Sequence, residues 1–339
     1  MTTTGTTDDT TDGSTTRWGI ASTGGMARTF VDDLVLLPDA EVAFVGSRDA
    51  ARAAAFAEPH GAGSGTYADL LAADVDVLYV ATPHPQHHAR ALAAIEAGVP
   101  VLVEKAFTAT LAGAEEVVAA ARSRGVFCME AMWTRFVPAV ALVRELVAAG
   151  DIGEPVLVQG DFGISLDYDS TGRHFDPTLG GGAVLDLGVY PLSLAQHLMG
   201  RPDRVEATAT RFPTGVDANA VVQLAWADGR GASAACSLTG ATPGRAVVVG
   251  TAGTIELLPP MHHPSRIVVR RGDAEPEEIE RPLTGVGYVH QAQEVHRCLA
   301  AGLTESPVMT LDDTLDVMWV LEETLAQLGI TMAEAPVDL

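Results

Sequence analysis

Between residues 17 and 135, short apolar runs alternate with stretches whose apolar positions recur at helical spacing. Trp18-Gly19-Ile20-Ala21 is the first run and ends in a glycine turn, after which Phe30, Leu34 and Leu37 mark one face of a helix. Residues 41–46, 75–81, 99–103 and 126–131 are further runs of strand length, with helical stretches at 50–58, 86–97 and 115–124. Alanine dominates 50–58, which favours a helix, and Gly98 is a natural stop after the next one. Such alternation predicts right-handed crossovers and a parallel sheet covered on both faces.

Beyond about Gly150 the texture changes. Residues 156–162, 203–210, 218–226, 232–238, 245–249 and 266–270 read as strands separated by glycine and proline, which predicts a mostly antiparallel sheet. Helical spacing returns at 289–301 and 311–328. No internal repeat is visible. The first sixteen residues, rich in Thr, Gly and Asp, read as a disordered tail without the basic start and apolar core of a secretory signal.

The 339 residues carry a formal net charge of −23 and are 47% hydrophobic. The acidity argues against nucleic acid or an anionic membrane as partner, since both attract basic surfaces. It also means that a phosphate-bearing ligand needs a local cluster of positive charge. Cys128, Cys236 and Cys298 are widely spaced, without a metal-site pattern, and fit a reducing, cytoplasmic setting. No run of about eighteen apolar residues marks a membrane helix.

The first turn, Ser22-Thr23-Gly24-Gly25-Met26-Ala27, keeps two elements of the dinucleotide fingerprint Gly-x-Gly-x-x-Gly/Ala: Gly24 for close pyrophosphate approach and small Ala27 for helix–strand packing. Ser22 replaces the first glycine. Alone, such a turn is also an ordinary turn; its place after the first strand gives it meaning. At the end of the second strand Ser47 stands where an NAD site usually carries an acid, and Arg48 follows it. Arg48, assisted by Arg52, suits a 2′-phosphate, so NADP is expected, with NAD as the alternative.

The fourth apolar run leads into Thr82-Pro83-His84-Pro85-Gln86-His87. Ligands of open α/β sheets lie beyond the C-terminal strand ends, so Thr82, Pro83, His84, Gln86 and His87 are candidates for the nicotinamide side, or else solvated residues of a helix start. A metal at His84, His87 and His88 lacks a suitably spaced carboxylate. Glu104-Lys105 ends the fifth run: a surface ion pair on its own, or an ammonium that lowers the pKa of a nearby tyrosine. The segment Gly180-Gly181-Gly182-Ala183-Val184-Leu185-Asp186-Leu187-Gly188-Val189-Tyr190 favours the second reading. Its glycines let backbone pass close to a ligand, and Asp186 and Tyr190, four apart, share a helix face. An amine and a phenol are the groups needed to move a proton while a nicotinamide cofactor moves a hydride.

These residues resemble the family of glucose–fructose oxidoreductase, inositol dehydrogenase and rhizopine catabolism proteins (Gfo/Idh/MocA), over essentially the whole chain after the tail. Within it they are most similar to the branch of dimeric dihydrodiol dehydrogenase, also described as NADP-dependent D-xylose 1-dehydrogenase. The matching stretches are 17–20, 84–87, 121–125, 129–136 and 186–190, with a further likeness at 305–308. Lys105 falls on the family's Glu-Lys-Pro lysine, with Ala106 in place of proline. Tyr190 falls on the last position of Asp-x-Gly-x-His/Tyr.

The resemblance implies an α/β chain: a Rossmann parallel-sheet domain over 17–135, then an α+β domain over 136–339 for substrate binding and oligomerisation. That second domain carries a large, open-faced, mostly antiparallel sheet, and its last helices can pack back on the first domain. A homodimer is the default, with a homotetramer as the alternative. The implied activity is NADP-dependent oxidation of a hydroxyl on a sugar, polyol or cyclic diol. Tyr190 would be the acid/base, Lys105 its support and Asp186 an orienting group; Trp133, Arg135 and Phe162 would be pocket walls, with Trp133 and Phe162 equally open to a place in the core. The rival readings are a redox-assisted hydrolase or epimerase that holds its cofactor, and a non-enzymatic NADP-binding protein.

Overall fold

The computed structural model describes residues 15–337. Most of the tail expected at 1–16 lies outside the described residues, and the first strand opens one residue earlier than expected, at Thr16.

The first layer is a six-stranded sheet in the order β3-β2-β1-β4-β5-β6. Its strands are β1 (Thr16–Ala21), β2 (Ala40–Gly46), β3 (Gly63–Gly65), β4 (Val77–Val80), β5 (Val101–Glu104) and β6 (Cys128–Ala131), and every pairing is parallel. Helices α1 (Gly25–Leu34), α2 (Ala50–Ala57), α3 (Tyr67–Leu71), α4 (His87–Glu96) and α5 (Leu111–Arg124) connect them. β4, β5 and β6 are buried at every position, as a sheet covered on both faces requires. Because β2 and β4 flank β1 on opposite sides, the chain reverses direction there. The reversal opens a crevice at the C-terminal strand ends, which is the ligand position of such sheets.

The second layer is an eight-stranded sheet in the order β14-β13-β12-β11-β7-β10-β9-β8. Its strands are β7 (Pro155–Gly163), β8 (Arg204–Arg211), β9 (Asp217–Ala225), β10 (Gly231–Ser237), β11 (Ala246–Gly250), β12 (Gly253–Leu257), β13 (Arg266–Arg271) and β14 (Glu277–Glu280). Only β7 and β10 run parallel; the other pairs are antiparallel. On β9, Ala220, Val222 and Leu224 point inward, whereas Val221 and Gln223 are exposed, the alternation of a sheet covered on one side. The covering helices are α6 (Pro138–Ala148) and α7 (Val189–Met199), and Pro191 of α7 closes over Gly160 of β7. The last helices, α8 (Val289–Ala300) and α9 (Leu311–Gln327), lie against the first layer: α8 on α1, and α9 on α5 and β6 as well as on α7.

The differences from expectation have local causes. α5 begins at Leu111 rather than near residue 115 because Thr110 accepts the Gly113 amide and caps it. The small elements β3 and α3, hidden in Gly- and Ala-rich sequence, are secured by a capping box between Thr66 and Asp69. α6 starts at Pro138, a residue suited to a first helical turn but easily read as a break. β12 and β14 complete the antiparallel meander, where charged Glu256 and Glu277–Glu280 masked the strand pattern.

Candidate active site

Four strand ends and one helix converge at the crevice. Lys105 follows the last residue of β5, through a cis peptide bond to Ala106. Asp186 lies in a single π-helical turn, Val184–Gly188, that leads into α7, and Tyr190 follows in the first turn of that helix. Such wide turns are rare and concentrate at functional sites. The Lys105 ammonium donates to the Asp186 carbonyl at 2.7 Å and reaches its carboxylate at 3.5 Å. It also stands 4.7 Å from the Tyr190 ring centroid. Trp133 donates its indole N–H to the Tyr190 hydroxyl at 3.0 Å. All of these groups are buried.

The charges balance inside this small volume. Burial works against the Lys105 ammonium, but Tyr190, Asp186 and Glu104 outweigh it and hold its pKa above the usual value. Burial likewise opposes an ionised Asp186, yet Lys105 foremost, then His174 and Arg173, hold that carboxyl well below the ordinary range. Burial pushes the Tyr190 phenol up, with Lys105 and the Trp133 hydrogen bond pulling the other way. Glu104 accepts the Tyr79 hydroxyl and the Lys105 amide; burial raises it to about 6 despite Lys105.

His84 and His87 face the protein. His84 spans the carbonyls of Gly180 (3.1 Å) and Lys105 (3.2 Å), and His87 those of Ala106 (3.0 Å) and Thr82 (2.7 Å). Burial lowers both, His84 to about 3, so each ring is neutral and donates one bond. They pin the backbone on either side of Lys105, with both nitrogens of each ring placed against these carbonyls. The glycine run is also used for protein packing: a Cβ on Gly180 would stand 2.8 Å from that of His84, and one on Gly182 would run into Asp217. Arg135 is not brought to the pocket. It lies 2% exposed behind α7, where it donates to Ser193 and Gln196 and pairs with Asp313 at 3.3 Å.

Other residues take the wall positions, and the sequence reading did not single them out. Tyr288 stacks on Trp133 with ring centroids 4.1 Å apart, and His263 stacks on its indole at 5.5 Å. Phe162 stacks on His262 at 4.0 Å, and His262 lies 5.3 Å from Tyr190. Arg173 and His174 reach Asp186 at 3.2 and 3.3 Å. Proline on both sides of Met261-His262-His263 was the available signal for a fixed loop; Arg173-His174 sits in Gly- and Asp-rich sequence with none.

At the nucleotide end, α1 starts at Gly25 with Gly24 as its cap residue, and Ser22 accepts the Gly24 amide at 3.0 Å. Nothing stands within 4 Å of a Cβ built on Gly25, so the helix N-terminus faces open space. Thr23 and Met26 flank this opening half-buried, and Ala27 packs beneath it. Ser47 is buried, whereas Arg48 and Arg52 are exposed. The neighbouring carboxylate of Asp49 is turned away, capping α2 through the amides of Ala51 and Arg52. The Thr82 hydroxyl at the end of β4 is buried without a hydrogen-bond partner, and Pro83 beside it is half-buried. This is a set of groups that fits a dinucleotide.

The model of the oxidoreductase family with an NAD-binding Rossmann fold matches residues 16–132, and that of the GFO/IDH/MocA C-terminal domain matches 140–256. The chain belongs to the Gfo/Idh/MocA oxidoreductase family. It is 37% identical over 331 residues to trans-1,2-dihydrobenzene-1,2-diol dehydrogenase of Sus scrofa, covering 94% of this chain and 98% of that one. Identity to the Homo sapiens protein of the same name is 35% over 333 residues, with the same coverage. Among solved structures, the 3-ketoreductase KijD10 of Actinomadura kijaniata, in complex with NADP and TDP-benzene, is 25% identical with a TM-score of 0.81, covering 95% of this chain and all 100% of that one. The aldose-aldose oxidoreductase of Caulobacter crescentus shares the fold at a TM-score of 0.84 and 24% identity, over 93% and 98% of the two chains.

This Gfo/Idh/MocA protein is thus an oxidoreductase with an NAD(P)-binding Rossmann domain. Among the described residues no cluster of side chains suits a metal ion, and no helix is long and apolar enough to cross a membrane.

Proposed function

We propose that the protein is an NADP-dependent dehydrogenase that oxidises a hydroxyl of a sugar, polyol or cyclic diol. The observation that carries this reading is the convergence of Lys105, Asp186, Trp133 and Tyr190 at the crevice beside the α1 N-terminus. Ser22, Thr23, Gly24, Gly25, Met26 and Ala27 would hold the pyrophosphate on free amides. Ser47, Arg48 and Arg52 would take the 2′-phosphate, since no carboxylate competes there once Asp49 caps α2. Thr82, Pro83 and Glu104 would border the nicotinamide side.

NADP, when bound, supplies the hydride acceptor. Tyr190, ionised to its phenolate, would take the proton of the substrate hydroxyl on its phenolic oxygen, in the step in which the carbon bearing that hydroxyl gives up hydride. Lys105 would stabilise the phenolate through its positive charge, and Asp186 would hold the Lys105 ammonium in place. Trp133 and Phe162 form apolar walls with Tyr288 and the His262–His263 pair, which exclude water from the reacting carbon. The reading includes a homodimer, or alternatively a homotetramer, assembled through the uncovered face of the large sheet. It also places the protein in the cytoplasm, where the buried free thiols of Cys128, Cys236 and Cys298 would persist.

The test is NADPH fluorescence after mixing the protein and NADP with aldoses, inositols and cyclic diols, with NAD in parallel. Reduction of NADP by one polyol class supports the reading and names the class. Preference for NAD would overturn the arginine assignment, and nucleotide binding without reduction across the panel would overturn the dehydrogenase.

A further inference from the structure

Asp33 is an acid in the last turn of α1, where the carbonyl end of the helix dipole disfavours negative charge. It is also 4% exposed. What holds a carboxylate there is a row of backbone amides from a distant segment. Val286, Gly287, Tyr288 and Val289 donate to it at 2.9, 2.9, 2.8 and 3.4 Å. Gly285 and Gly287 adopt φ of +59° and +115° to make the turn, and a side chain on Gly285 would collide with the carboxylate.

The segment held this way grips Trp133. A Cβ on Gly287 would stand 3.0 Å from the indole Cζ3, and the Tyr288 ring lies parallel to the indole within 20°. The other end of that indole donates to Tyr190. An indole N–H only donates, so the phenolic oxygen is always the acceptor in this contact. A donor of this kind bonds a phenolate more strongly than a phenol.

We propose that Asp33 is a positioning residue for Tyr190: by clamping 286–289 it sets Gly287 and Tyr288 against Trp133 and keeps the indole donor on the phenolic oxygen. The helix that carries Asp33 presents its N-terminus to the nucleotide in the function proposed above. The clamp therefore ties the nucleotide half of the protein to the proton-transfer group. The catalytic consequence rests on that proposed function; the control of the Trp133–Tyr190 bond does not. The charged and titratable groups facing Tyr190 are Lys105 and Glu104 from the end of β5, Asp186 from the π turn, His262 from its loop, Tyr79 from β4 and Tyr288. Of these residues Tyr288 is tied to Asp33 through its backbone amide, while its hydroxyl points to the Met26 sulfur.

Two readouts test the clamp on the full chain. One is solvent exchange of the Trp133 indole N–H, followed by nitrogen-15 NMR. The other is the pH profile of kcat for polyol oxidation. In Asp33→Ala the indole exchange is expected to accelerate about tenfold or more. The pKa of the group that must lose its proton is expected to rise by about one pH unit, with kcat changing more than KM for NADP. Asp33→Asn, which keeps one acceptor oxygen, should fall between. In a Trp133→Phe background Asp33→Ala should shift the profile no further. Native indole exchange in folded Asp33→Ala would overturn the proposal, as would a kcat lowered equally at every pH or a shift that persists without Trp133.

Should Asp33→Ala fail to fold, Tyr288→Leu removes the stack while leaving the amides on Asp33, and the same acceleration and shift are expected. Unchanged exchange there overturns the clamp. If no polyol is oxidised with either nucleotide, the proposed function fails, and the indole exchange still decides the clamp.

Discussion

A buried ammonium is costly unless its neighbours compensate the charge, and Lys105 has that support from Asp186 and Glu104 and from the Tyr190 ring. That arrangement separates the jobs of the two residues that matter most. Tyr190→Phe removes the proton acceptor and leaves the nucleotide end untouched. NADP binding by calorimetry should stay within about twofold of native, while kcat falls roughly 10²- to 10⁴-fold. An unchanged kcat would remove Tyr190 from the chemistry. Asp186→Asn works in the opposite electrostatic direction to the loss of Trp133. With its negative charge gone, the Lys105 ammonium is opposed at the phenol by Glu104 without Asp186, which favours the phenolate. The pH profile of kcat should therefore move to lower pH even as kcat drops through lost orientation of Lys105. A profile that moves to higher pH would mean that Asp186 does not govern the charge at Tyr190.

Elements place these residues through contacts that short sequence windows show only in part. The parallel sheet, the late helices and the Lys105–Asp186–Tyr190 set were legible because each rests on a local pattern: apolar runs, helical spacing, or a residue directly after a strand. Tyr288, His262, His263 and the clamp at Asp33 were not, because each joins its partner across a long stretch of chain and leaves no periodic trace; Arg173 lies only 13 residues from Asp186, but in an irregular loop without a pattern. Arg135 shows the converse error. Its neighbour in sequence, Trp133, lines the pocket, but the short helical turn Trp133–Phe136 sends the guanidinium to the other side of α7. The π turn that carries Asp186 depends on such a long-range contact too. Its Val184 amide donates at 2.6 Å to Asp217, a carboxyl that burial raises to about 6. Asp217→Ala leaves that buried amide unpaired, at a cost of about 1–3 kcal/mol. Urea unfolding should show the loss, and kcat should fall with it as Asp186 loosens. A stability loss with native kcat would mean that the turn holds its shape without Asp217.

At the scale of the whole molecule, those buried acids whose pKa is raised, Glu104, Glu130 and Asp217, contribute stability that is lost as pH rises. Glu130 on β6 is fully buried, and neither of its oxygens has a well-formed hydrogen bond. Burial raises its pKa to about 7, with Arg135 the main opposing charge. The folded state therefore binds this proton more tightly than the unfolded chain. The stability it contributes is full below the unfolded value of 4.5 and is lost as pH rises through 7, an effect of roughly 3 kcal/mol. Glu130→Gln should raise the thermal midpoint at pH 8 relative to native and flatten its decline between pH 5 and 8; a parallel decline in both proteins would assign the slope to other groups. The same scale governs assembly. One face of the large sheet is covered by α6, α7 and, at β8, α9, and the other carries Val221, half exposed at 50%, with Gln159, Gln223 and Ser233 beside the charged Asp161, Glu206 and Arg245. A face over several strands that mixes apolar and polar residues with charges of both signs suits a self-complementary two-fold contact. Sedimentation equilibrium should give a dimer, and Val221→Glu, which puts like charges opposite each other across such a two-fold axis, should give a monomer with unchanged unfolding of the parallel-sheet domain. A native monomer, or a dimer indifferent to Val221→Glu, would show that this face is not where copies meet.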